Sequence, residues 1–465
     1  MAYYRTLASL VLVGAANSLT SIAASQINPA PVTAAKPVVV ADAQQLMAMG
    51  NAMADLGRYT EAITAYSLAL EQDPDNGLIL ANRALAYAWI NRVAEASKDL
   101  KAAEGKLPAS AVLHRVRAII ANRGSDQDTE LSELTKSLAL EPTNNFALSF
   151  RAHIYQERGL YEAAIADADA YIRARPDEPE AYELKAKLLG GQRQWPLALA
   201  QASMVALRFS REPRALASAA TIYRNAGKRA QALEVIGRAL SLDGGAFYLW
   251  ERRAGLRQWN DFDGRKRDLE TALELAPNDM GIVAKLGLLA VDQQHWSVAN
   301  ARFTQILDQE PNDFLVRAYR AMASVKLQNA TAAEGDFKAA FDTASGAGDF
   351  SRICFALAAH GVALDRAKTS CDRAIATDPD RPSYRTNRGL LRLRTGALDG
   401  AIADYDLSIA SDPNDAEAYY GRAIARFRTG QREEAEQDRL TALAIDPTIA
   451  EDFESRQMTD LTTTR

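Results

Sequence analysis

Small and apolar residues recur along this chain in a register that resets about every 34 positions. Counted from Ala43, the first copy has Gly50 at position 8, Gly57 at 15, Ala62 at 20, Tyr66 at 24, Ala69 at 27 and Pro74 at 32. Small residues at 8 and 20 let two helix backbones approach each other. A glycine near 15 turns the chain between them. A proline at 32 ends the second helix, because it lacks an N–H and its ring clashes with the preceding turn. The pattern therefore predicts one antiparallel helix pair per copy. Acidic residues and Asn around the proline, as in Asp73-Pro74-Asp75-Asn76 and Asp412-Pro413-Asn414-Asp415, suit the start of the next helix.

The beat is long-lived. Prolines fall at 74, 108, 142 and 176, each 34 residues after the last. It continues through Ser210 and Gly244, loses one residue, and returns to proline at 277 and 311. Ser345 takes the next place, followed by Pro379, Pro413 and Pro447. Twelve copies thus run over residues 43–449. They resemble the tetratricopeptide repeat, most closely in copies 1, 2, 4, 8, 11 and 12 and more weakly in 3, 5, 6, 7, 9 and 10. The resemblance implies an all-α fold: an α-solenoid, a right-handed superhelix of about twelve helix pairs with a concave groove. One helix pair cannot bury its own apolar face, so neighbours share a continuous core. Residues 450–465 are expected to form a polar cap and a fraying Thr-rich tail.

The copies can be compared with one another. Position 7 is Arg in seven of them, and an acid stands at position 23 in each of the seven. The pairs are Arg83 with Asp99, Arg117 with Glu133, Arg151 with Asp167, Arg253 with Asp268, Arg320 with Asp336, Arg388 with Asp404 and Arg422 with Asp438. Where position 7 is Met49, Lys185, Ala219, Leu286 or Cys354, position 23 is not acidic. Positions 7 and 23 face each other across an antiparallel pair, so these residues are read as structural ion pairs. The alternative is that the arginines hold an anionic ligand. Copy 10 has no such pair, but places Cys354 and Cys371 at positions 7 and 24. In an oxidising compartment these are expected to form a disulfide; the alternative is two buried thiols.

Export follows from the N-terminus. Arg5 precedes an apolar run, Leu7 to Ala16, and small residues follow at Ser21, Ala23 and Ala24. This is the layout of a signal peptide over residues 1–25, with a Pro/Ala linker over 26–42. An exported location, periplasmic or extracellular, is expected; the runner-up is anchoring by an uncleaved N-terminal helix. After processing, no stable transmembrane anchor remains in this reading. Lys plus Arg number 54 against 59 Asp plus Glu, a net charge of −5, which does not suit a nucleic-acid binder.

Chemistry is hard to find. The four histidines, at 114, 153, 295 and 360, share no copy and have no partners at metal-ligand spacing. His153 and His360 are expected on the groove side, and His114 and His295 in packing or at the surface. No phosphate loop, nucleophile elbow or zinc-protease motif is present. No enzyme activity, cofactor or metal is expected. By the resemblance, positions 2, 5, 6, 9, 12 and 13 of each first helix line the groove. They include Trp89, Phe146, Phe150, Tyr248, Trp259, Tyr319, Tyr420 and Phe427, among Asn51, Asn82, Arg115, Arg252 and Arg394. Aromatic rings interleaved with Arg and Asn suit an extended peptide or a partner helix. Some relatives in this family clamp a terminal carboxylate with two Asn and three basic residues. Asn51 and Asn82 match, but the basic places hold Met47, Val112 and Val116, so the clamp is incomplete. The leading reading is a non-catalytic protein-binding scaffold of an exported compartment. The alternatives are an accessory scaffold of polysaccharide synthesis or export, and an enzyme with an unrecognised site.

Overall fold

The computed structural model describes residues 41–458, apart from 109 and 125. The expected signal peptide, nearly all of the linker and the Thr-rich tail lie outside the described residues. Among the described residues there are 25 helices and no strand. Twelve antiparallel pairs follow in chain order, from Ala43–Asp55 with Tyr59–Gln72 to Ala416–Arg428 with Arg432–Ile445. A short helix, Ile449–Ser455, closes the last pair. The chain divides into two compact bodies, one ending at Asp177 and the other beginning at Glu178. The N-terminal body holds repeats 1–4, and the C-terminal body holds repeats 5–12 and the closing helix.

The register explains the packing within each pair. A Cβ on Gly50 would stand 2.5 Å from the Tyr66 ring, and one on Gly389 would stand 2.7 Å from the Tyr405 ring. The small residue at position 8 is therefore the seat of the aromatic at position 24. Tyr66 is 2% exposed and Tyr405 is fully buried. In several repeats position 15 takes a left-handed backbone even without glycine: Asn91 has φ 64° where Gly159 has φ 73°. Asn76, Asn144, Asp279, Asp313 and Asp415 cap the helices that follow them, each accepting backbone N–H bonds.

Six of the seven arginines at position 7 meet the acid at position 23 through two bonds. Arg83 donates to both oxygens of Asp99 at 2.7 and 2.9 Å, and Arg151 to both of Asp167 at 2.8 Å. Arg253, Arg320, Arg388 and Arg422 do the same to Asp268, Asp336, Asp404 and Asp438. The six carboxylates are all buried. Repeat 3 differs. Arg117 places its fork on Glu104, at 2.7 Å from Nη2, and reaches Glu133 only at 3.6 Å. Glu133 is already held by His114 Nδ1 at 2.7 Å and Lys136 Nζ at 2.5 Å.

Two further departures have local causes. In repeat 7, where a residue is missing, the first helix shortens to Phe247–Leu256, ten residues. Trp259 consequently lies in the turn that follows, not on a helix. In repeat 10 the structure pairs Cys354 with Cys371, Cα atoms 5.1 Å apart, joining Ala347–His360 to Leu364–Thr377.

Candidate functional site

In the N-terminal body one cluster of rings gathers at Trp89, the last residue of Gly77–Trp89. The Tyr59 ring stacks on it at 5.5 Å and 10°. Phe146 and Phe150, one turn apart on Asn145–Glu157, present their edges to it at 5.7 and 5.8 Å. All four rings are half-buried. Beneath them lie the buried side chains of Ala88, Ala96 and Ile119, against which Trp89 and Phe146 pack. Arg123 donates to the Trp89 carbonyl at 3.0 Å, tying repeat 3 to the same corner. The result is a half-buried apolar platform with a firm floor. Tyr59 was not among the sequence candidates, because it opens a second helix; its ring beside Trp89 is visible only in three dimensions.

Asn51 and Asn82 lie nearby but are turned on each other. Asn51 Oδ1 accepts from Tyr66 Oη at 2.8 Å and from Asn82 Nδ2 at 3.1 Å. Val112 and Val116 are buried core residues, so no basic group completes a carboxylate clamp there. Arg115 reaches Glu141 at 2.9 Å.

The remaining aromatic candidates, in the C-terminal body, do not assemble. Tyr420 is 2% exposed, its ring 4.9 Å from Phe453 of the closing helix, which removes it from any binding surface. Tyr319 stacks on the buried Phe303 at 5.6 Å, and burial pushes its hydroxyl up to about 12. Tyr248 lies under the Arg214 guanidinium, Phe427 under that of Arg432, and Trp259 meets Phe262 edge-on. Arg252 donates to Thr221 Oγ1 at 2.7 Å. Arg394 was a candidate for a ligand; instead it donates to the carbonyls of Ala358 and Ala359, at 3.2 and 2.6 Å, and to that of Arg456 at 2.7 Å. It closes the C-terminal end of the neighbouring first helix, where carbonyls lack partners.

The C-terminal body also holds titratable groups whose pKa values burial shifts. Lys285 keeps half its side chain exposed and pairs with Glu251, yet burial lowers its pKa. Burial raises the Asp292 carboxyl against the pull of Arg265, and pushes Glu183 up to about 7 against the Ser218 hydrogen bond. His360 is pushed down to about 4, first by burial and then by Arg394 and Arg456. His153, on Asn145–Glu157 in the other body, stands 3.3 Å from Glu157. Glu183, Lys285 and Asp292 stand at positions 5, 6 and 13 of their repeats, positions that the resemblance assigns to the groove. Among the described residues no group of three His, Cys, Asp or Glu side chains is placed to hold a metal ion. No helix among them is long and apolar enough to cross a membrane.

Two family models agree with this architecture. A family model described as TPR repeat matches residues 50–88, and a second, described as Tetratricopeptide repeat, matches 284–348 and 363–416. No curated protein matches the sequence. Among solved structures, the yeast Tom70 is 15% identical over 90% of this chain and 95% of its own, with a TM-score of 0.42. A human IFIT1 dimer with PPP-AAAA is 14% identical over 87% and 91%, at 0.41. PilW, described as a type IV pilus biogenesis factor, is 19% identical over 44% and 94%, at 0.36. With its helix pairs, its position-8 and position-24 contacts and the family matches at residues 50–88, 284–348 and 363–416, the chain carries tetratricopeptide repeats.

Proposed function

We propose that this protein is a non-catalytic scaffold of an exported compartment that holds a segment of a partner protein on the Trp89 platform. Tetratricopeptide-repeat proteins are in general non-catalytic scaffolds that bind proteins or peptides. The observation that carries the reading is the half-exposed ring cluster of Tyr59, Trp89, Phe146 and Phe150, fixed from below by Ala88, Ala96 and Ile119. Rigid aromatic rings lose little entropy on binding and supply most of the energy at such contacts. The platform suits one large apolar side chain of an extended or helical segment. Export is supported by Arg5, the apolar run after it and the small residues near Ala23.

The test is affinity capture from envelope extracts with the mature protein and with Trp89→Ala/Phe150→Ala. The expected result is a partner whose capture falls about tenfold or more in the variant. Equal capture by both proteins places the site elsewhere, and capture of a glycan in place of a protein favours a role in polysaccharide export. N-terminal sequencing of the mature protein tests export: an intact Met1 counts against it.

A further inference from the structure

The C-terminal body touches itself at its two ends. Arg193, in the turn of repeat 5, donates to the Pro413 carbonyl at 3.4 Å and to Asn414 Oδ1. These partners are 220 and 221 residues away, in the loop before repeat 12. Arg229, at the start of the second helix of repeat 6, lays its fork on both oxygens of Glu451 in the closing helix. Its Nε is held by the Leu256 carbonyl at 3.1 Å, which aims the fork. Between them, a Cβ on Gly227 would stand 3.2 Å from the Pro447 ring. The Arg224 charge also acts on Asp452, opposing the upward push of burial on that carboxyl.

The two sides of the closing helix are held very differently. Toward repeats 10–12 it is anchored by a fully buried Phe453 against Tyr420, by Arg456 on Glu417 at 2.7 Å, and by the Arg394 bond to the Arg456 carbonyl. The Arg456 guanidinium also lies 4.9 Å from the Phe355 ring centre. Toward repeats 5 and 6 it offers a polar rim and one proline. Successive repeats share buried apolar clusters, whereas the contacts between side chains across this seam are the polar ones just named, beside the Gly227–Pro447 approach.

We propose that repeats 5–12 form a ring shut by an ionic clasp, with Arg229–Glu451 and Arg193–Asn414 as its two fastenings, and that the clasp opens while the repeats stay folded. The clasp is poised because it rests on partly exposed polar contacts, each of which changes an equilibrium only a few-fold and weakens with salt. A solenoid yields to such an opening by small changes between neighbouring repeats, with no loss of core. The proposal is independent of what binds at Trp89, which lies in the other body.

The experiment measures the seam directly in the full chain. Spin labels are placed at Lys228→Cys and Ser455→Cys, two exposed positions flanking the clasp, and their separation is read by double electron–electron resonance. At about 10 mM salt one narrow short distance is expected, and at about 1 M a second, longer population. Arg229→Glu and Glu451→Arg should each raise the long population roughly 3–10-fold at low salt, and their combination should restore the short one. Glu451→Gln, a gentler change, should fall between. Circular dichroism should show unchanged helicity in every case. A broad, long distribution at low salt overturns the ring. A single distance unaffected by salt and by all four variants overturns the clasp, as does opening seen only with loss of helicity.

Discussion

Arg388 and Asp404 face each other across repeat 11 through two bonds of 2.9 and 2.7 Å, with the carboxylate 1% exposed. Asp404 has a second cation, Arg392 Nη1 at 2.7 Å. Among the described residues Asp99 has Arg83 as its one cation, and the remaining Arg83 bond goes to Ser67 Oγ. Removing the arginine therefore has unequal consequences. Arg83→Ala strands a buried carboxylate and should cost about 2–4 kcal/mol, whereas Arg388→Ala leaves Arg392 in place and should cost about 1 kcal/mol. Each Arg→Ala and Asp→Ala pair should be non-additive, by denaturant titration of the singles and doubles. Equal costs for Arg83→Ala and Arg388→Ala would count against this account.

Cys354 and Cys371 stand where repeat 10 lacks an Arg–acid pair, 17 residues apart in sequence. Closing a loop of that size restricts the unfolded chain and contributes about 3 kcal/mol. Non-reducing peptide mapping of the native protein should show the two joined. Cys354→Ala/Cys371→Ala should lower stability by that order, and dithiothreitol should bring the native protein to the same level. A variant as stable as the parent before reduction would show that the bond contributes nothing.

The helix pairs were legible because two contacts repeat with the chain. Gly50 with Tyr66 and Gly389 with Tyr405 are the same contact in repeats ten copies apart. So were the facing positions of Arg83 and Asp99. What could not be read falls between repeats or on the backbone. Arg394 finds its partners in the carbonyls of Ala358 and Ala359, which leave no trace in side-chain identity. Tyr420 occupies a groove position, but Phe453, outside the repeat register, covers it. Trp259 left its helix because one missing residue shortened Phe247–Leu256. The Arg229 contact with Glu451 joins residues 222 apart and belongs to no period. Periodicity reports the contacts that recur; a candidate site is made from those that do not.

Glu130 is 3% exposed, and burial pushes it up to about 7 against the bond from Asn122 Nδ2 at 3.0 Å; the Glu157 charge adds to the rise. The unfolded chain releases this proton near 4.5, the ordinary value. Between 4.5 and 7 the folded state holds a proton that the unfolded state has lost, so stability falls as pH rises through that window and levels off above it. Glu130→Gln keeps the Asn122 bond without the proton. It should match the parent near pH 4 and exceed it near pH 8 by about 2–3 kcal/mol. His360 works in the opposite sense. Its folded value of about 4 lies below 6.5, so its contribution is lost as pH falls from 6.5 toward 4. Glu130 is therefore isolated by subtracting the parent from the variant at each pH, using urea titrations. A difference that does not grow between pH 4 and pH 8 would refute the assignment.

Phe453 is fully buried, with the Tyr420 ring on one side and the Arg456 guanidinium 5.1 Å from its centre on the other. With Ile449, which is also buried, it is an apolar residue by which the closing helix seals repeat 12. Phe453→Ala removes the ring from a site walled by Tyr420 and should cost about 3–5 kcal/mol. Phe427, half-buried under Arg432, provides the contrast: Phe427→Ala should cost about 1 kcal/mol. Because each repeat leans mainly on its neighbours, the loss at Phe453 should stay local. Hydrogen exchange in Ala416–Arg428 and Arg432–Ile445 should accelerate first, while the helices of repeat 8 keep their protection. Uniform acceleration across repeats 5–12 would show instead that the closing helix holds the whole body together, the outcome expected if the seam at Arg229 is a permanent part of the core.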